Sequence, residues 1–235
     1  MNEMTTFVGT KPYRMAADGY LKCIELGGFG DAHVELVDGE LIESEGYEIE
    51  GGKVVPPKQG VRPYRVSTEI YLRMIDAGSF GDAHVELVDG ELIEMSPSHS
   101  EHGRLMLLLG HLLYQAYADT DFVLYGDIIT KFDDSNTRAP DIAVVDKGIG
   151  DRKQLVPSDI LLAVEIAGST LNVDLGRKRI DYASAGIRHY WVVDVEGRRT
   201  HCYADPQGAD YAAIQVVPFG EAVAVPGADG VIVVA

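Results

Sequence analysis

The chain is short of cations, of cysteine and of long apolar runs. Lys and Arg number 20 against 37 Asp and Glu, a formal net charge of -17 over 235 residues. That surplus excludes a protein that wraps nucleic acid on a broad basic surface, although it leaves room for a small acidic metal site acting on nucleic acid locally. Two cysteines, Cys23 and Cys202, are too few for a disulfide scaffold and suit a reducing cytoplasm. No stretch approaches the roughly 18 apolar residues of a membrane span, so none is expected. The opening MNEMTTFVGT has no basic segment leading into an apolar core, so no secretory signal is expected either. Against these shortages stands a hydrophobic content of 46%, too high for a disordered chain. It can build one large core or two modest ones.

What the chain does contain is a duplication. Residues Pro12 to Glu43 match Pro63 to Glu94 at about two-thirds of positions, and from Phe29 and Phe80 onward they agree without a break. Two copies do not make a solenoid, so a partial tandem duplication is the simpler reading. Each copy reads as a short helix and a β-hairpin. Tyr20, Leu21 and Ile24, or Tyr71, Leu72 and Ile75, take helical spacing. Each hairpin turns on Asp-Gly between alternating runs, the strongest local hairpin signal. The stretch from Ser44 to Arg62 is rich in Gly, Pro and charge and reads as a linker. A boundary is placed near residue 60, with residues 1–60 an appended partial duplicate and 61–235 the main domain.

From residue 97 the pattern alternates between helix and strand. Ser98 and Glu101 fit a capping box opening a helix that runs to Tyr117, with Leu105, Leu109 and Leu112 as its apolar stripe and His102 one turn earlier on the same face. Strands are expected at 122–132, 139–145 and 161–167, then a helix at 173–185 ended by Gly186. Further strands follow at 190–194, 199–204 and 211–217. This is a mixed α/β domain on a central sheet flanked by helices, preceded by the helix-plus-hairpin duplicate.

Two carboxylates sit oddly in that scheme. Glu165 interrupts the apolar run Leu161-Leu-Ala-Val-Glu-Ile-Ala, and Asp141 opens Asp141-Ile-Ala-Val-Val. Burying an ionised carboxylate costs several kcal/mol unless it is paired or binds a metal. One such acid is simply explained by a basic partner or a wet strand end; two on successive core strands weaken that explanation. Asp174, Lys178 and Tyr182 follow at i, i+4, i+8, on one helix face. Alone they read as a surface salt bridge, but the short turn Gly168-Ser-Thr lets Lys178 swing back toward Glu165. Two acids and a lysine at a sheet end suit metal-assisted phosphodiester cleavage: carboxylates hold a hard cation, and the lysine positions water or offsets charge on the phosphate.

The run Ala139-Pro-Asp141, Val164-Glu165-Ile-Ala-Gly-Ser-Thr-Leu-Asn-Val-Asp174, Lys178, Tyr182, Ala185-Gly-Ile and Tyr190-Trp-Val-Val-Asp194 resembles the Uma-two-type restriction endonuclease family, of the PD-(D/E)XK nuclease superfamily. The likeness covers residues 63 to 225, including Glu86-Leu-Val-Asp-Gly-Glu and His102-Gly103. It implies a restriction-endonuclease-like fold with Asp141 and Glu165 as ligands of Mg²⁺, or of Mn²⁺. In the superfamily the lysine follows the glutamate by two positions, where this chain has Ala167. The Uma-two pattern places it on the next helix, at Lys178. His102 could stand where related nucleases carry a helix-borne acid, or be an exposed first-turn histidine.

The expected activity is therefore Mg²⁺-dependent hydrolysis of DNA, with weak and salt-sensitive binding. The alternative is a catalytically silent nuclease fold used for binding or assembly, its duplicated hairpin offering an edge strand or a homodimer contact. His99 and His102 do not form the His-Glu-x-x-His zinc motif. Gly148 and Gly150 lack a phosphate-loop lysine, and Tyr190 and Trp191 read as core. The first repeat has no counterpart of Asp141, Glu165 or Lys178, so its Glu35 and Asp38, like Glu86 and Asp89, are read as structural, with Glu86 still able to contribute near the site.

Overall fold

A computed structural model describes residues 10–30, 32–44, 48–50, 53–55, 62–95, 100–150 and 152–235. Two compact units emerge, one of residues 10–96 with 133–137 and one of residues 97–132 with 138–235.

The first unit holds both repeats. Repeat one runs β1 (Thr10–Pro12), α1 (Ala17–Glu25), β2 (His33–Val37) and β3 (Glu40–Ser44). Two short strands, β4 (Glu48–Glu50) and β5 (Lys53–Val55), pair as a hairpin in the stretch expected to be a linker. Repeat two is β6 (Arg62–Pro63), α2 (Thr68–Asp76), β7 (Val85–Val88) and β8 (Glu91–Met95). Both hairpins close through two-residue loops whose Asp and Gly have positive φ, Asp38 at 50° and Gly39 at 81°, Asp89 at 50° and Gly90 at 77°. Positive φ at both positions matches the right-handed twist of the flanking strands, so the Asp-Gly signal is chemically explained. The Ser67 side chain caps α2, accepting from the Ile70 amide at 3.3 Å.

The second unit carries α3 (Ser100–Ala116), β9 (Phe122–Gly126), β10 (Thr130–Lys131), β11 (Thr137–Arg138, at the border with the first unit), β12 (Ile142–Asp146), β13 (Ile160–Ala167), α4 (Leu171–Val173), a π turn (Asp174–Lys178) and α5 (Arg179–Ser184). Then come β14 (His189–Asp194), β15 (Arg199–Gln207), β16 (Asp210–Pro218), β17 (Ala222–Ala224) and β18 (Val231–Val233). Six strands form one sheet in the order β16-β15-β14-β13-β12-β9. Only β13 and β14 within it run parallel. The fold class is thus the expected mixed α/β arrangement, a mixed central sheet flanked by helices.

Strand alternation divides the core in two. Ile142, Val144, Leu162, Val164, Ile166, Trp191 and Val193 pack with Leu105, Leu109 and Leu113 of α3. Ala143, Val145, Ala163, Ala167, Tyr190 and Val192 pack with Tyr182 and Ala183 of α5. The buried stripe of α3 ends on Leu113 where Leu112 was expected; Leu112 is only half-buried, because i, i+4, i+8 continues the line from Leu105 and Leu109. The strand expected over 122–132 stops at Gly126, and Asp127 takes a positive φ of 51°. Ser98 and His99 lie outside the described residues, so the capping box does too.

Leu109 is fully buried between helix and sheet. Leu109→Ala should cost about 2–5 kcal/mol of unfolding free energy in urea titration. A loss below about 1 kcal/mol would show that α3 does not pack there.

Candidate active site

β12 and β13 run antiparallel with Ile142 opposite Val164 and Ala143 opposite Ala163. Continuing that register by one residue sets Asp141 across from Glu165, at the adjoining ends of two core strands. Glu165 alternates with Ala163 and Ala167 and so faces the α5 side of the sheet.

Glu165 is buried, and its Oε1 accepts two hydrogen bonds, from Lys178 Nζ at 3.1 Å and from the Tyr182 hydroxyl at 2.7 Å. Lys178 also lies 3.6 Å from Asp174 Oδ1, whose other oxygen accepts from Thr170 Oγ1 at 2.6 Å. Asp174 and Lys178 are buried too, so the surface salt bridge that their spacing alone suggested is instead an interior network. The expected regular helix is replaced over Asp174–Lys178 by a π turn, a wider coil that often marks functional stretches. The Tyr190 hydroxyl donates to the Asp174 carbonyl at 2.9 Å within it.

Asp141 has different partners. Its Oδ2 accepts from the Ile166 amide at 2.6 Å, and its Oδ1 lies 3.3 Å from His102 Nε2. The other ring nitrogen of His102, Nδ1, lies 2.9 Å from the Ile166 carbonyl oxygen. Both neighbours are acceptors, so both contacts are satisfied only when both ring nitrogens carry hydrogen. The hydrogen bond to Asp141 raises the His102 pKa above the ordinary histidine value, against burial, which lowers it. The structure therefore gathers the four candidates in two pairs, Glu165 with Lys178 and Asp141 with His102, the second held by the backbone of Ile166, the residue next to Glu165. The first pair is buried, whereas the side chains of His102 and Asp141 remain 19% and 20% accessible.

Three contributors went unread in the sequence. The spacing sets Tyr182 on the right face but assigns it no role, and the Ile166 backbone has no sequence signal, since every residue has a peptide. Arg138, three residues before Asp141, is buried against Asp181, which Arg177 also reaches at 2.7 Å. An arginine beside an otherwise apolar strand start was the available clue. Among the described residues no group of three or more His, Cys, Asp or Glu side chains is placed to hold a metal ion. Glu86 lies in the other compact unit.

Residues 68–232 match the model of a family named Uma2 and described as "Putative restriction endonuclease". The chain belongs to the Uma2 family. That span contains His102, Asp141, Glu165 and Lys178 and the helix and hairpin of the second repeat, but nothing of the first. A solved structure described as a "putative nuclease belonging to DUF820", from Anabaena variabilis ATCC 29413, is similar to this Uma2 chain at 15% identity with a TM-score of 0.49. The likeness covers 62% of this chain and 83% of that one. No curated protein matches. Among the described residues no helix is long and apolar enough to cross a membrane.

Two outcomes test this geometry. Lys178→Met would leave the buried Glu165 carboxylate without its cation and should cost about 3–5 kcal/mol. Adding Glu165→Gln should recover part of that loss in urea titration; a double variant as unstable as the sum of the singles would show the pair to be uncoupled. For His102 the raised pKa fixes the sign of the pH effect: its stabilisation is fully present below the unfolded value of about 6.5 and is lost as pH rises through the higher folded value. In EDTA, His102→Gln should therefore cost more stability at pH 6 than at pH 8, and a cost that grows with pH would contradict the assignment.

Proposed function

We propose that this Uma2 chain is a Mg²⁺-dependent endonuclease that hydrolyses phosphodiester bonds of DNA, with Mn²⁺ able to substitute. The observation that carries the reading is the facing of Asp141 and Glu165 at the adjoining ends of β12 and β13, with Lys178 on one of them. Both acids fall within the matched family region, whose description supports DNA as the substrate.

The donor set suits such an ion. Two carboxylates are hard oxygen ligands, and Mg²⁺ is commonly held by one or two carboxylates while keeping several waters, without an all-protein cage. Asp141 and Glu165 would hold the ion, which when bound polarises the phosphate and makes water a better nucleophile. In the reaction a water oxygen bonds to phosphorus, the bond to the departing strand end breaks, the water gives up a proton and the departing oxygen gains one. The chain's own part is positioning and charge. Tyr182 and Lys178 hold Glu165 in one orientation, and the Lys178 ammonium offsets charge that grows on the phosphate. His102 and the Ile166 amide orient Asp141.

The second reading, a nuclease fold without turnover, is favoured by the same Asp141 contacts, because both of its oxygens already have protein partners. Plasmid cleavage separates the two. Wild type should nick supercoiled DNA with Mg²⁺ or Mn²⁺, Asp141→Asn and Glu165→Gln should lose the activity, and Lys178→Met should lose about a hundredfold. Raising the salt from 50 to 200 mM should weaken cleavage, because DNA affinity falls with salt concentration. Cleavage by both acid variants at the wild-type rate would rule the nuclease reading out. No cleavage by wild type, together with no calorimetric uptake of Mg²⁺, would establish the silent module.

A further inference from the structure

The two repeats exchange strands. β1, which leads into the first repeat, pairs with β8 of the second, with Lys11 opposite Glu94 and Pro12 opposite Ile93. β6, which leads into the second, pairs with β3 of the first, with Arg62 opposite Glu43 and Pro63 opposite Ile42. The rest of the contact follows the same rule. The Tyr13 amide donates to the Leu92 carbonyl at 2.8 Å, and the Tyr64 amide to the Leu41 carbonyl at 2.8 Å. Tyr13 meets Phe80 edge-on at 5.4 Å between ring centres, and Tyr64 meets Phe29 edge-on at 5.5 Å. Lys11 pairs with Glu94 at 3.2 Å and Arg62 with Glu43 at 2.9 Å. A contact in which residue i of one half meets j of the other, and j meets i, is the isologous pattern of a two-fold dimer.

We infer that the first repeat is a built-in partner for the second, filling within one chain the place that a second chain's repeat would fill, so that the protein is a monomer whose dimer-type face is already closed. Two further observations point the same way. The family match begins at residue 68, so the family region supplies the second helix and hairpin but neither the first repeat nor β6. The repeats have also ceased to be interchangeable. Gly19 of α1 lies against Ser79, where any added Cβ would run into the Ser79 carbonyl oxygen; the second repeat carries Ile70 at the corresponding position. A copy of the second repeat in that place would bring a bulky side chain against backbone, whereas the first repeat fits. Tethering adds to the preference, because a linked partner acts at a high effective concentration. The pairing also covers the outer side of β8, which would otherwise be an open strand edge.

Cysteine cross-linking in the full-length chain tests this directly. Facing residues of an antiparallel pair lie within disulfide reach. Lys11→Cys with Glu94→Cys probes one exchange, and Glu43→Cys with Arg62→Cys probes the other. Native Cys23 is buried and Cys202 half-buried, which limits competition. Oxidation should give a cross-link within one chain for each pair, at a native mass near 25.5 kDa by light scattering. Disulfide-linked dimers, a native mass of two chains, or no cross-link from either pair would overturn the inference. Gly19→Ile should cut the intrachain cross-linking yield several-fold, and an unchanged yield would refute the specialisation of the first repeat.

Discussion

A carboxylate set in the middle of a fully buried strand is the constraint around which the second unit is arranged. Glu165 cannot stay ionised among Val164, Ile166 and their neighbours without a compensating charge and donors. The chain meets that demand from the segment just after the strand. The turn at 168–170 returns the backbone across the sheet, and the π turn admits both Asp174 and Lys178 to the interior. Tyr182, one α turn beyond Lys178, completes the set. Asp174 in turn has to be accommodated, which Thr170 and Lys178 do. One buried acid thus accounts for the irregularity of the helix, for the burial of a lysine, and for a tyrosine hydroxyl directed into an apolar layer.

The same strand governs the second pair of residues through its backbone. Ile166 points its side chain into the α3 layer, while its amide and carbonyl hold Asp141 and His102. Asp141 and His102 are therefore positioned by the backbone of a residue registered against Val193 of β14, just beyond the Val164 end of the pairing with β12. A rigid peptide is a better anchor than a side chain, since it has no rotamer freedom to lose. This also explains the contrast in exposure: the strand interior keeps Glu165 and Lys178 dry, while the strand end leaves Asp141 and His102 partly in water.

Much of this was legible in the residues, and the limits are physical. Hairpins were readable because Asp-Gly at positive φ is a local requirement satisfied within four residues. The core strands were readable because two buried faces demand continuous apolar runs. The out-of-place acids stood out against those runs for the same reason. The π turn was not readable, since a regular α-helix and a helix with one wider turn share the same composition and nearly the same spacing. The exchange of β1 and β6 between repeats was not readable either. Each strand satisfies its backbone equally well on either hairpin in principle, and only non-local geometry decides.

The strand exchange bears on the net charge of -17. The duplicated hairpins bring a double share of glutamate, yet the cations beside them are duplicated too: Arg14 pairs with Glu40 and Arg65 with Glu91, while Lys11 and Arg62 reach Glu94 and Glu43 across the repeats. These pairs offset only part of the acid, however: residues 12–43 hold Arg14 and Lys22 against seven Asp and Glu, so the first repeat adds to the surplus. At physiological salt, exposed charges act over only about 8 Å, so the potential at the site is set by the groups around it and not by the total. There the balance is close. Asp141 has the His102 imidazole beside it, and Glu165 and Asp174 share Lys178, with Arg138 and Arg177 on Asp181 close by in sequence. On the proposed reading, a bound divalent cation would tip this nearly balanced site to the positive charge that a phosphate needs and that the chain's composition as a whole does not supply.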